Sequence, residues 1–186
     1  MNTTTQASRF LISLTLLAAL SAAPRARAQT APLLIPGQPV AVDVPGAHVL
    51  PDPNTTYKVV FDIKTAAEKP SDPNPLLVGL AKYVNTLAKY GVPASHRQLA
   101  VVFHGDALNI VVNNDTWKAA HNGADNPNVP LIQSLAKAGV QFHVCGQGVM
   151  RTKIDPKTIQ PEIQLDLWAL TTLVDLEQQG YVHIGD

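Results

Sequence analysis

The run Leu99-Ala100-Val101-Val102-Phe103 constrains the fold more than any other stretch of the chain. Five consecutive apolar residues leave no polar face, so a strand built from them must be covered on both sides. Tyr57 to Ile63 (YKVVFDI) is β-branched and aromatic and reads as a second strand. Val140 to Cys145 (VQFHVC) reads as a third, and Tyr181 to Ile184 as a last one. Helical segments alternate with them. Asp72-Pro73-Asn74-Pro75 carries helix-start chemistry, and Leu76, Leu80, Val84 and Leu87 then recur at helical spacing up to Gly91. Asp115 to His121 predicts a short helix. Asn126-Pro127-Asn128 reads as the cap of another, which carries Leu131, Ile132 and Leu135 and stops at Gly139. Asn109 to Val112 is a short apolar piece of either type, and Asp155-Pro156 marks a turn. Ile163 to Gln179 is expected to be one long helix ended by Gly180. This alternation gives βαβ units, hence an α/β domain with a mostly parallel sheet and helices on both faces. Sites in such sheets lie beyond the carboxyl ends of the strands.

The N-terminus has a different character. Arg9 precedes an 11-residue apolar run, Phe10 to Leu20, which is too short to span a bilayer. Ala26-Arg27-Ala28 forms an A-x-A cleavage site, so residues 1–28 read as a signal peptide and the mature chain begins at Gln29. The expected location is periplasmic or secreted, with no membrane attachment after signal removal. Residues 29–56 hold six prolines with Leu33, Leu34, Ile35 and Val40 interleaved. Proline fixes φ and lacks a donor, so this stretch reads as an extended arm lying on a surface. Residues 57–186 form the single folded domain.

Composition narrows the functional classes. Hydrophobic residues are 46% and charged residues 15%, which excludes a disordered chain. Beyond residue 28 there are 11 basic and 14 acidic residues, and no basic patch that would support nucleic-acid binding. Cys145 is the single cysteine, so neither an intramolecular disulfide nor a multi-cysteine metal site can form. The chain has no G-x-S-x-G, Walker loop or H-E-x-x-H. No cofactor or resident metal is indicated.

Cys145 is the sharpest chemical candidate. It ends an apolar strand and precedes Gly146-Gln147-Gly148, where the backbone can turn tightly and its N–H groups could face the sulfur or a ligand. A thiol so placed, at the mouth of a cleft, could attack sulfane sulfur and hold a persulfide; the alternative is a small buried hydrophobe. His143 lies two residues earlier and shares its side of the strand. His104, in His104-Gly105-Asp106, ends the neighbouring strand. Either histidine could stabilise a thiolate. Asp62, Asp106 and Asp125 act together only if the fold gathers them. The expected helix 163–179 is apolar nearly all round, with Leu165, Trp168, Leu173 and Leu176 beside its main stripe, so its second face is expected to meet another subunit.

Val59-Val60-Phe61-Asp62-Ile63, Gly91-Val92-Pro93, His104-Gly105, Asn126-Pro127-Asn128, Gly139-Val140, Cys145-Gly146-Gln147, Leu170-Thr171-Thr172-Leu173 and Gln178-Gln179-Gly180-Tyr181 follow one another in this order. In this ordered set the chain resembles the DsrE/DsrF-like sulfur-relay family, in an exported branch, over about residues 57–185. The resemblance implies a three-layer α/β/α domain around a five-stranded parallel sheet, assembled as a homotrimer or homohexamer. It also implies a cysteine that accepts sulfur as a persulfide, with Cys145 in the equivalent place. Two functions follow. One is a sulfur carrier handling small sulfur species. The other is a non-catalytic oligomeric module binding a small ligand or metal in the same cleft.

Overall fold

The computed structural model describes residues 33–185; the expected signal peptide, residues 1–28, and the first residues of the expected arm lie outside them. Five strands, β1 (Tyr57–Ile63), β2 (Arg97–Phe103), β3 (Gln141–Cys145), β4 (Ile163–Asp166) and β5 (Val182–Gly185), form one sheet in the order β4-β3-β2-β1-β5. Every pairing is parallel. Among the described residues five α-helices accompany it, besides three short 3-10 helices: α1 (Pro75–Lys89), α2 (Asn114–Ala120), α3 (Val129–Lys137), α4 (Gly146–Thr152) and α5 (Ala169–Gln178).

The central strands are buried on both faces, as their unbroken apolar character demands. One face of β1, β2 and β3 presents Phe61, Ile63, Phe103 and Val144 to Leu77, Leu80, Ile132 and Leu135 of α1 and α3. The other face presents Val60, Ala100, Val102 and Cys145 to Ala169, Leu173 and Leu176 of α5. The domain is therefore a three-layer α/β/α sandwich. Asn74 starts α1, its side chain accepting from the N–H groups of Leu76 and Leu77, and Pro75 sits at the first helical position.

Two expectations need correction. The span 163–179 is not one helix. Its first residues form β4, and α5 begins only at Ala169, after Trp168 in extended backbone. Ile163, Gln164, Leu165 and Asp166 alternate apolar and polar, and pairing with β3 overrides the helical spacing that Ile163 and Leu167 share with Leu170 and Val174. Asn126-Pro127-Asn128 is also more than a cap. Asn128 stands at the cap of α3 but makes no capping bond there. Its Oδ1 accepts the Asn74 N–H at 2.7 Å, which ties the start of α3 to the start of α1.

Residues 33–56 contain no helix or strand. They are fastened to α1 by Asn85. Its Oδ1 accepts the Ile35 N–H at 2.9 Å, and its Nδ2 donates to the carbonyls of Ile35, Gln38 and Pro39. Ile35 is only 1% exposed and packs into the larger core.

Candidate functional site

Two side chains of interest end up on the α5 face because of strand parity. In β3, Phe142 and Val144 face α1 and α3, so His143 and Cys145 face α5. Register places Cys145 opposite Asp166 of β4 and His143 opposite Gln164. His104 follows the end of β2, next to the end of β3.

His143 and Asp166 form the first pair. Asp166 Oδ2 lies 2.9 Å from His143 Nδ1 and accepts the Thr172 hydroxyl at 2.8 Å, while its Oδ1 accepts Gln164 Nε2 at 2.7 Å. A carboxylate can only accept, so it holds the His143 proton on Nδ1 and leaves the lone pair on Nε2. That Nε2 is buried and has no protein partner. A cleft of about 370 Å³ between β3, β4 and α5 is lined by His143, Asp166, Thr171, Thr172 and Asp175.

Asp62 is the centre of the second cluster. Its Oδ1 lies 2.6 Å from His104 Nε2, and its Oδ2 lies 3.3 Å from His183 Nε2 and 3.8 Å from Lys64 Nζ. His183 Nδ1 meets Glu177 Oε1 at 2.8 Å. This cluster stands where the strand order turns, β2 lying on one side of β1 and β5 on the other, the usual place for a site in an open α/β sheet. Asp106 and Asp125 do not join it; Asp125 pairs with Lys118 on the surface.

Cys145 lies between these clusters in the sheet, at 5% exposure, against the α5 residues Ala169 and Leu173. It is buried, not at an open cleft mouth. It occupies the cap position of α4, yet its side chain makes no capping bond. Both donors of the adjacent Gln147 are engaged elsewhere. The N–H of Gln147 donates to the Leu167 carbonyl at 3.2 Å, and Gln147 Nε2 reaches the same oxygen at 3.4 Å. Of the turn at Gly146, Gln147 and Gly148, expected to offer donors to the sulfur or a ligand, Gln147 ties α4 to the β4–α5 connection. Gly146 is required by that closeness, since a Cβ there would stand 2.5 Å from the Asp166 carbonyl oxygen. At Gly148 the nearest atom to such a Cβ is a Leu108 methyl at 2.6 Å.

Sequence reasoning passed over Asp166, Thr172, His183 and Glu177. The i, i+2 alternation of Gln164 and Asp166 was the available signal for the first. The others are brought in by β5 and α5 from the far end of the chain. Among the described residues, no group of three or more His, Cys, Asp or Glu side chains could hold a metal ion.

Architecture and site together define a class: a parallel α/β domain with a single strand-end cysteine set between two histidine–aspartate pairs. The chain belongs to the DsrE/DsrF-like family, whose model matches residues 53–184, and this membership points to sulfur relay. No curated protein matches the sequence. Among solved structures, MTH1491 of Methanobacterium thermoautotrophicum, described as a protein of unknown function, is 18% identical. The match covers 70% of this chain and 99% of that one, with a TM-score of 0.50. At that identity the likeness speaks to fold alone.

Proposed function

We propose that the protein is an exported sulfur carrier in which Cys145 takes up sulfane sulfur as a persulfide. The observation that carries this reading is the placing of the chain's single cysteine at the end of β3. The His143–Asp166 pair stands on the same sheet face, and the His104–Asp62 pair at the neighbouring strand end. The Cys145 thiolate attacks the terminal sulfur of an inorganic polysulfide. An S–S bond forms on Sγ while the donor's S–S bond breaks, and the polysulfide leaves one sulfur shorter with the electron pair. The thiol proton goes to a base, and His143 Nε2 has the free lone pair to receive it. Ala169 and Leu173 cover the sulfur, so loading requires α5 to shift.

The second reading is a non-catalytic binding module with Cys145 as packing. The 5% exposure of the residue favours it. The two separate on alkylation rate against pH for the folded protein, with His143→Ala and His104→Ala alongside. Mass spectrometry after incubation with polysulfide follows. A one-sulfur mass gain on Cys145, with loading slowed about tenfold or more in His143→Ala, supports the carrier. Modification only after denaturation leaves the binding module.

Residues 1–28 direct export in this proposal, so N-terminal sequencing of protein recovered outside the cytoplasm should begin at Gln29. Retention of earlier residues would refute the cleavage. Self-association, as a trimer or hexamer, is part of the same proposal. It uses the apolar surface formed by Met150, Leu165, Leu167, Trp168, Leu170 and Val174, all exposed in the single chain.

A further inference from the structure

The two faces of the sheet are covered unequally. The face toward α1 and α3 belongs to the larger apolar cluster, to which α1 alone gives Leu77, Leu80, Ala81 and Val84. The face toward α5 is thin. Its cluster takes Ala169, Leu173 and Leu176 from that helix, while Leu170 and Val174 stay exposed in the single chain. A helix held by so few buried apolar side chains can open at lower free energy than the domain as a whole.

Polar ties divide α5 along its length. At its C-terminal end Glu177 Oε1 lies 2.8 Å from His183 Nδ1, and Lys58 Nζ donates to the Gln179 carbonyl at 2.9 Å. The N-terminal half carries Ala169 and Leu173, which pack with Cys145. Among the described residues, that half makes one side-chain hydrogen bond to the sheet. It runs from the Thr172 hydroxyl to Asp166 Oδ2 at 2.8 Å. Asp166 is the register partner of Cys145, so the bond fastens the helix at the strand position next to the sulfur. Both groups have a second partner. The Trp168 carbonyl lies 3.3 Å from the same hydroxyl, and Asp166 also meets His143 and Gln164. Breaking the bond therefore strands neither group, which keeps the cost of release low.

We propose that α5 is a lid on Cys145 and that Thr172 is its latch. With the Thr172–Asp166 bond made, Ala169 and Leu173 shield the thiol. With it broken, the helix lifts and a small reagent reaches the sulfur. The chain enters the helix after Leu167, whose carbonyl is held by the Gln147 N–H, and leaves it at Gly180, whose φ of +89° suits glycine. The use of such a lid rests on the carrier reading, in which sulfur must reach Cys145, but its test reads exposure of the thiol and not sulfur loading.

The experiment is the rate at which iodoacetamide alkylates the folded protein, followed across urea concentrations below the unfolding transition. Cys145 is the single cysteine, so the rate reports one position. Thr172→Val removes the hydroxyl and Thr172→Ser keeps it. Asn85→Ala strips hydrogen bonds from the opposite layer and leaves α5 untouched. The expected wild-type rate is nearly independent of urea, because a local opening exposes little surface. Thr172→Val is expected to react about tenfold faster or more, with Thr172→Ser and Asn85→Ala close to wild type. A rate that climbs with urea as steeply as global unfolding overturns the lid. So does one that Asn85→Ala raises as much as Thr172→Val, or that Thr172→Val leaves unchanged. Incubating the same variants with inorganic polysulfide separates this inference from the carrier reading. Faster alkylation in Thr172→Val without any sulfur gain keeps the lid and refutes the carrier. Sulfur gain at a rate indifferent to Thr172 keeps the carrier and refutes the lid.

Discussion

Gly146 and Gly148 flank one residue and look alike in sequence, yet their surroundings differ in kind. A methyl at Gly146 meets backbone, the Asp166 carbonyl oxygen at 2.5 Å, and backbone on a paired strand cannot step aside. A methyl at Gly148 meets the end of the Leu108 side chain, which can change rotamer. Gly146→Ala is therefore expected to destabilise the domain by about 1–3 kcal/mol, and Gly148→Ala by less. Urea unfolding of both variants checks the order; equal losses would contradict it. At this scale the sequence was partly legible. Strand parity was enough to put His143 and Cys145 on one face. It could not reveal Asp166 as the partner of His143, because that needs the register of β3 with β4, and β4 was hidden inside an apparently helical stretch. Nor could it reveal that Cys145 is covered, since the cover is a helix from 24 or more residues later.

The α/β alternation was legible because the apolar runs and their glycine stops are strong local signals. The failure over 163–179 is instructive for the same reason. Four alternating residues are too few to outweigh ten helical ones when local spacing alone is weighed, and the sheet supplies what local spacing lacks. The arm depends on a single helix residue in a comparable way. Asn85 faces inward from α1 and makes four bonds to the arm backbone. Asn85→Ala leaves those buried groups unpaired and is expected to cost about 1–3 kcal/mol and to free the arm. Limited proteolysis should then cut between residues 36 and 50 in the variant well before it cuts the wild type. Lys89 adds a surface tether. Its ammonium, by hydrogen bond and by charge, holds the Asp43 carboxyl below the ordinary carboxylate range. Whatever that tether adds is present above the ordinary range and fades as acidification protonates Asp43.

At the scale of the whole molecule, the exposed apolar residues of β4 and α5 argue for a covered surface. Leu165→Glu or Trp168→Glu is expected to shift sedimentation from an oligomer to a single chain while leaving the circular dichroism of the fold unchanged. A wild-type protein that sediments as a monomer would overturn self-association. The sheet order has a consequence of another sort. Among the described strands, β1 comes first in chain order and pairs with β2 on one side, but its other neighbour is β5, which comes last of the five. The contact between Asp62 and His183 spans 121 residues. Until the final strand arrives, β1 has an open edge and α5 has no strand to lead into. Closure of so long a loop is slow compared with helix formation or local pairing. A sheet built this way keeps one flank of β1 bare until β5 docks, so that flank is the surface most open to wrong partners while the domain is being assembled.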